Sequence, residues 1–281
     1  MCRAWRPLAT SHLFRKIRYT FSYLLATDCE SCCRESAYEL ARRCKTLDEL
    51  HTFLVVNPVI RGYIRKLILR GYAPLVSDGE STQRDAMRVT PDLLTSVINI
   101  LHNLRHLELV NVSCSNNLEM TSPPPVVNLS LESVDIQYRD YVGVRCEDPV
   151  EYTELDCARL LGLFGTVRVL RLFPPLQKAD EPLPKSNYEE NLRISTLEIG
   201  RTSDKLFGYL TRCPEVCGSI KRFVMRYPLE SMVEPLLPFL QAVGPTLQEL
   251  MFFVAIVYSD LRKLRKCLLV PGVMLALTCI F

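Results

Sequence analysis

Glycine is scarce in this chain: there are 11 in 281 residues, alongside four histidines and one tryptophan. Phosphate and dinucleotide sites need glycine-rich turns that let backbone N–H groups approach the anion, and no such fingerprint is present. A Gly-x-Ser-x-Gly elbow and a His-Glu-x-x-His helix are absent as well. His102 and His106 stand four apart, but His102 precedes a turn and His106 opens a strand pattern. They therefore do not share the one helical face that a paired metal site of this spacing uses. With the acidic residues dispersed, no catalytic constellation emerges, and neither enzymatic activity nor a cofactor is expected.

Excess charge of one sign is also missing. Thirty-four basic residues face 31 acidic ones, for a net charge of +3, which argues against a general nucleic-acid or membrane-surface binder. Met1 to Leu13 carries Arg3, Arg6, Pro7 and His12 and no apolar secretory core, so a cytoplasmic or nuclear location is expected. At the other end Cys267 to Phe281 is uncharged but 15 residues long, broken by Pro271-Gly272 and preceded by Arg262-Lys263-Leu264-Arg265-Lys266. A membrane span needs about 20 apolar residues, so the expected role is a cap over the open end of the sheet next to Leu250 and Phe252, or an aberrant final repeat that hangs off as a poorly packed apolar helix. A tail anchor is the rival reading, with the basic flank on the cytosolic side.

Cysteine is abundant, with 12 residues, read as reduced and mostly buried. Cys29, Cys32 and Cys33, with Cys44, lack the second spaced pair that a zinc site uses, so no metal is expected. Cys213 and Cys217 read as core or cap residues at helical spacing.

A repeat dominates what is present. The pattern L-x-x-L-x-L starts at Ile64, Leu104, Leu131, Val167, Ile194, Ile220 and Leu247, in steps of 40, 27, 36, 27, 26 and 27. Such a period is the signature of a solenoid of leucine-rich-repeat type, which usually serves as a binding surface. Amphipathic helices fit between the strands. One opens at Thr46, with Glu49 at the capping-box position and Leu47, Leu50, Phe53 and Leu54 inward. Another opens at Thr90-Pro91 with Leu94, Val97, Ile98 and Leu101. Others run over Cys157–Phe164, from Ser203 through Leu206, Phe207 and Leu210, and over Met232–Val243 with Val233, Leu236, Leu237 and Leu240 inward. Pro235 and Pro238 should bend or confine the first turns of the last of these. Val76–Arg88 and Lys178–Asn191 read as loops, and Ser122-Pro123-Pro124-Pro125 as an extended crossing. The expected fold is α/β: a leucine-rich-repeat-like solenoid with a curved parallel sheet and helices on the convex side.

Alternation along each strand places Leu67, Leu107, Val134, Leu170, Leu197, Phe223 and Leu250 in the core. The opposite, concave face then carries Ile68, Glu108, Asp135, Arg171, Glu198, Val224 and Met251 as its central row. Lys66, His106, Ser133, Val169, Thr196, Arg222 and Glu249 lie on one side of it, and Arg70, Val110, Gln137, Phe173, Gly200, Arg226 and Phe253 on the other. Its later half combines Arg171, Phe173, Glu198, Arg222, Arg226, Met251 and Phe253, residue types enriched at protein interfaces. A protein target on this face is expected. The plainer alternative is a solvated face of neighbouring opposite charges.

The chain opens Cys2-Arg3-Ala4-Trp5-Arg6-Pro7-Leu8-Ala9, followed by His12-Leu13-Phe14-Arg15. This resembles the last third of the F-box in large basidiomycete-type fungal F-box proteins, in which a strand and leucine-rich-like repeats follow. Asn57-Pro58-Val59-Ile60 with Tyr63-Ile64-Arg65-Lys66-Leu67, and Leu104 to Leu109, look like the next recurring pieces of that family. The resemblance covers roughly Cys2 to Phe253 and implies a substrate-recognition subunit of a cullin–RING ubiquitin ligase, or a protein derived from one. The first two F-box helices are absent, and the family's contact with the Skp-type adaptor draws on them, which argues against that partner. A stand-alone scaffold and a membrane-tethered scaffold are the alternatives. In this reading residues 1–45 form the F-box remnant and N-terminal cap, 46–257 the repeats and 258–281 the tail. Trp5, Leu8, Leu13 and Phe14 would form an apolar face packed on the first repeat.

Overall fold

The computed structural model describes residues 5–22, 46–72, 89–114, 126–138, 154–173, 192–200, 204–226, 233–255 and 274–280. Within them nine strands form one parallel sheet whose spatial order is the sequence order. They are β1 (Lys16–Ser22), β2 (Lys66–Tyr72), β3 (His106–Val110), β4 (Leu131–Gln137), β5 (Thr166–Phe173), β6 (Arg193–Ile199), β7 (Arg222–Arg226), β8 (Glu249–Ala255) and β9 (Met274–Ile280). The helices are α1 (Trp5–Phe14), α2 (Leu47–Val56), α3 (Pro58–Tyr63), α4 (Pro91–Asn99), α5 (Glu154–Leu161), α6 (Asp204–Thr211), α7 (Pro214–Cys217) and α8 (Val233–Val243). Parallel neighbours cannot be joined by a tight hairpin, so each strand needs a crossover to return the chain to its starting end.

The register follows from side-chain alternation. Leu67 pairs with Leu107, then Val134, Leu170, Leu197, Phe223 and Leu250, each directly opposite the next. A one-residue slip in any strand would turn its apolar set away from the helices, so burial fixes the pairing. All seven are at most 1% exposed. The same holds two residues on, for Leu69, Leu109, Ile136, Leu172, Ile199, Met225 and Phe252. These two rows share one core with Leu50 and Leu54 of α2, Leu94, Val97 and Ile98 of α4, Leu160 and Leu161 of α5, Leu206, Phe207 and Leu210 of α6, and Leu236, Phe239 and Leu240 of α8. The three rings Phe207, Phe223 and Phe239 meet at centroid distances of 5.3–6.4 Å in edge or tilted geometry.

Helix starts follow their capping chemistry. The Thr46 side chain accepts the Glu49 N–H at 3.3 Å, as the capping-box reading expects. Pro91 occupies the first turn of α4, although Thr90 makes no side-chain cap bond. Three apolar assignments need correction. Phe53 and Leu237 lie on the outer sides of α2 and α8, at 42% and 37% exposure, and Phe239 takes the core position in α8. Leu13 is 74% exposed, so the expected apolar face of α1 does not extend to it. The helix expected over Cys157–Phe164 is α5, which begins at Glu154 and ends at Leu161. Phe164 reaches the core from the turn beyond, where it bridges Val127. In α8 Pro238 lies within the helix, while Pro235 falls where no intrahelical N–H bond is required. The helix α3 after Asn57 was not expected.

The sheet also runs past both ends of the repeat region. β1 pairs with β2, Lys16 opposite Lys66. Part of the apolar tail forms β9, with Leu275 opposite Leu250 and Leu277 opposite Phe252. The tail thus meets the residues expected of a cap, but as a strand. The loops Val76–Arg88 and Lys178–Asn191, the Ser122–Pro125 crossing, and Cys29, Cys32, Cys33 and Cys44 lie outside the described residues. No helix among the described residues is long and apolar enough to cross a membrane.

Candidate interaction face

The sheet face opposite the helices carries the three rows read from the sequence, in that register. Along the centre Ile68 faces Glu108, then Asp135, Arg171, Glu198, Val224 and Met251. Strand spacing of about 4.8 Å puts neighbours in a row within ion-pair reach. Lys66 Nζ lies 3.2 Å from Glu108 Oε2, a diagonal pair between β2 and β3.

The later half is more densely connected. Glu198 on β6 is only 8% exposed and sits between two arginines. Arg171 on β5 donates from Nε to Oε2 at 3.0 Å. Arg226 on β7 brings its own Nε to 2.5 Å from Oε1, off the line of a hydrogen bond. The Arg226 guanidinium also stands 5.5 Å from the Phe253 ring centroid, a cation–π arrangement. Alongside, Arg222 Nε lies 3.2 Å from Glu249 Oε2, and Nη2 reaches Met251 Sδ at 3.0 Å. The Phe173 ring lies over Gly200: a Cβ there would come within 2.3 Å of the ring. The structure thus places Arg171, Glu198, Arg226 and Phe253 in one connected group. Arg222 and Met251 form a second pair, and Phe173 packs separately on Gly200. Gly200 and Glu249 fall on this face in the sequence reading but are not counted there among its contact residues. Glycine in a row otherwise bearing Phe173, Arg226 and Phe253 was the available signal, since a missing side chain leaves room for a ring.

Asp135 is the electrostatic outlier. Burial raises its carboxyl above the ordinary 3.8; Glu108 and Glu198 push the same way, while a Gln137 hydrogen bond and Arg171 oppose. Its Oδ1 is buried without a hydrogen-bond partner among the described residues.

Elsewhere the candidates resolve into structure. His51 of α2 lies 3.0 Å from Ser96 Oγ of α4. His106 Nδ1 lies 2.8 Å from Ser133 Oγ. Cys213 and Cys217 are buried, and their thiols point at the Tyr209 and Leu210 carbonyls at 3.3 and 3.4 Å. Burial raises the Cys217 thiol, which leaves it protonated and poorly nucleophilic. Among the described residues no three His, Cys, Asp or Glu side chains gather as metal ligands. Of the F-box-like segment, Trp5, Pro7, Leu8, Leu13 and Phe14 lie on α1, whereas Cys2 and Arg3 fall outside the described residues.

Compared with protein-family models, curated protein sequences and solved structures, the chain matches none of them.

Proposed function

We propose that this chain is a leucine-rich-repeat-like solenoid, curved with its helices on the convex side, that holds a protein target on its concave face and catalyses no reaction. One observation carries the reading: a single in-register sheet commits one face to the core and, over β5 to β8, turns arginine, aromatic and methionine side chains to the other. Solenoids commonly bind through such a face, and these residue types dominate interface energetics. Resemblance of the Cys2–Arg15 segment to the end of a fungal F-box extends the proposal. The target would be a substrate of a cullin–RING ubiquitin ligase, or of a scaffold descended from one, in the cytoplasm or nucleus. Pairing of β9 with β8 favours these readings over a membrane-tethered scaffold, because it engages the apolar tail in the sheet.

The test is proximity labelling in cells with the wild-type chain and Arg222→Glu/Arg226→Glu. Loss of a discrete set of labelled proteins is expected. An unchanged set counts against the face.

A further inference from the structure

The sheet face opposite the described helices holds two arginines in an arrangement that its own ion pairs do not exhaust. Glu198, nearly buried, engages Arg171 and Arg226 through Nε of each, one arginine per carboxylate oxygen. Arginine carries five N–H donors in a planar fork, and an Nε contact leaves the four Nη hydrogens available. Neither arginine has another hydrogen-bond partner among the described residues. Their side chains remain 41% and 44% exposed, while that of Glu198 is 10% exposed. The carboxylate beneath therefore works as a positioning group that fixes two forks side by side. Phe253 beneath Arg226 supports that fork from a ring face. Phe173, held down on Gly200, supplies an apolar surface on the same row.

We propose that this pair of forks receives the carboxylate of an aspartate or glutamate in an extended segment of the target, with an apolar neighbour of that residue against Phe173 or Phe253. The inference rests on the interaction-face reading above and names its partner chemistry. Fork geometry matches a planar carboxylate in bidentate fashion. Charge separates the anions only in degree: Arg171, Arg222 and Arg226 are balanced locally by Asp135, Glu198 and Glu249, so no net positive field offsets the second charge of a phosphate, and the fork hydrogen bonds are left to favour the singly charged carboxylate.

The experiment selects a random dodecapeptide display library on the full wild-type chain. An enriched peptide is then measured by fluorescence anisotropy, next to copies in which its acidic residue is glutamine or phosphoserine. The proteins are wild type, Arg171→Gln, Arg171→Lys, Arg222→Glu/Arg226→Glu and, as a control, Lys16→Gln/Arg18→Gln. Enriched peptides are expected to carry Asp or Glu beside an aromatic or aliphatic residue. The glutamine copy should bind wild type about tenfold more weakly, as for loss of charge-assisted hydrogen bonds. That difference should vanish in Arg171→Gln, shrink in Arg171→Lys (which keeps charge but not the fork) and persist in the control. Several outcomes overturn the proposal: no enrichment, enrichment without acidic residues, tighter binding of phosphoserine, or a difference that survives Arg171→Gln. If non-acidic peptides enrich and lose binding in Arg222→Glu/Arg226→Glu, the carboxylate proposal fails while the interaction face stands.

Discussion

Leu107, Leu170 and Leu197 precede Glu108, Arg171 and Glu198 by one residue each, and that single step along the strand turns the side chain from one face of the sheet to the other. The three leucines are 1%, 0% and 0% exposed. Replacing any of them by alanine removes buried methyl groups and leaves a cavity, with an expected loss of about 2–5 kcal/mol in urea unfolding. Glu108→Gln, in a partly exposed pair with Lys66, should cost under about 1 kcal/mol. Equal losses at the two kinds of position would contradict the register. At Asp135 the sign is opposite. Its folded carboxyl titrates above the ordinary 3.8, so the stability it confers is complete below that value and is lost as pH rises through the raised one. Asp135→Asn should therefore stabilise the protein at pH 7 relative to wild type, with the advantage shrinking toward about pH 3.5. An advantage that grows on acidification would show the carboxylate to be held ionised instead. Gly200→Ala tests the seat of Phe173: the new methyl cannot coexist with the ring where it lies, so target binding should fall if that ring belongs to the contact. Unchanged binding would leave Phe173 outside it.

Among the elements, strands were far more legible than connections. The L-x-x-L-x-L spacing located β2 to β8 and their register, because burial on one face leaves no alternative pairing. β9 escaped the same pattern: Met274–Ile280 is uniformly uncharged and shows no alternation to mark a face. Helix faces were misread at their margins. Phe53 and Leu237 keep apolar spacing yet lie where α2 and α8 turn outward, and hydrophobic periodicity alone cannot say how wide a stripe the core accepts. The ion pairs around Glu198 were only half visible. Row order set Arg171 beside it, but the diagonal reach of Arg226 from the adjacent row depends on rotamers. Small polar ties between elements were invisible in sequence. Thr246 Oγ1 lies within 3.2 Å of the Cys217, Ile220 and Val243 carbonyls, joining α7, the start of β7 and the end of α8. Thr246→Val keeps the shape and removes the donor, so a loss of about 1 kcal/mol is expected in thermal or urea unfolding. No loss would mean that this hydroxyl is not what fastens the three elements.

At the scale of the whole molecule, one repeated decision shapes the repeat strands: β2 to β8 each send one set of side chains to the helices and the other to the opposite face of the sheet, where Ile68, Val110 and Val224 are themselves buried. The uninterrupted order of the strands keeps that choice uniform from β2 to β8, so polar and aromatic groups far apart in sequence, such as Arg171 and Phe253, end on one surface. The adaptor question belongs to the same scale. The chain as given should show no tight binding to a purified Skp-type adaptor in a pull-down, since Cys2–Arg15 resembles only the last third of an F-box; sub-micromolar binding would show that segment to suffice. The central claim, that a partner sits on the sheet face opposite the described helices, is tested most directly by site-specific photocrosslinking in cells. Benzoylphenylalanine placed at Val169 or Thr196 on that face is compared with the same group at Gln241 on the outer side of α8. Discrete crosslinked partners from Val169 and Thr196, and none from Gln241, are the expected result; partners captured only from Gln241 would contradict the account.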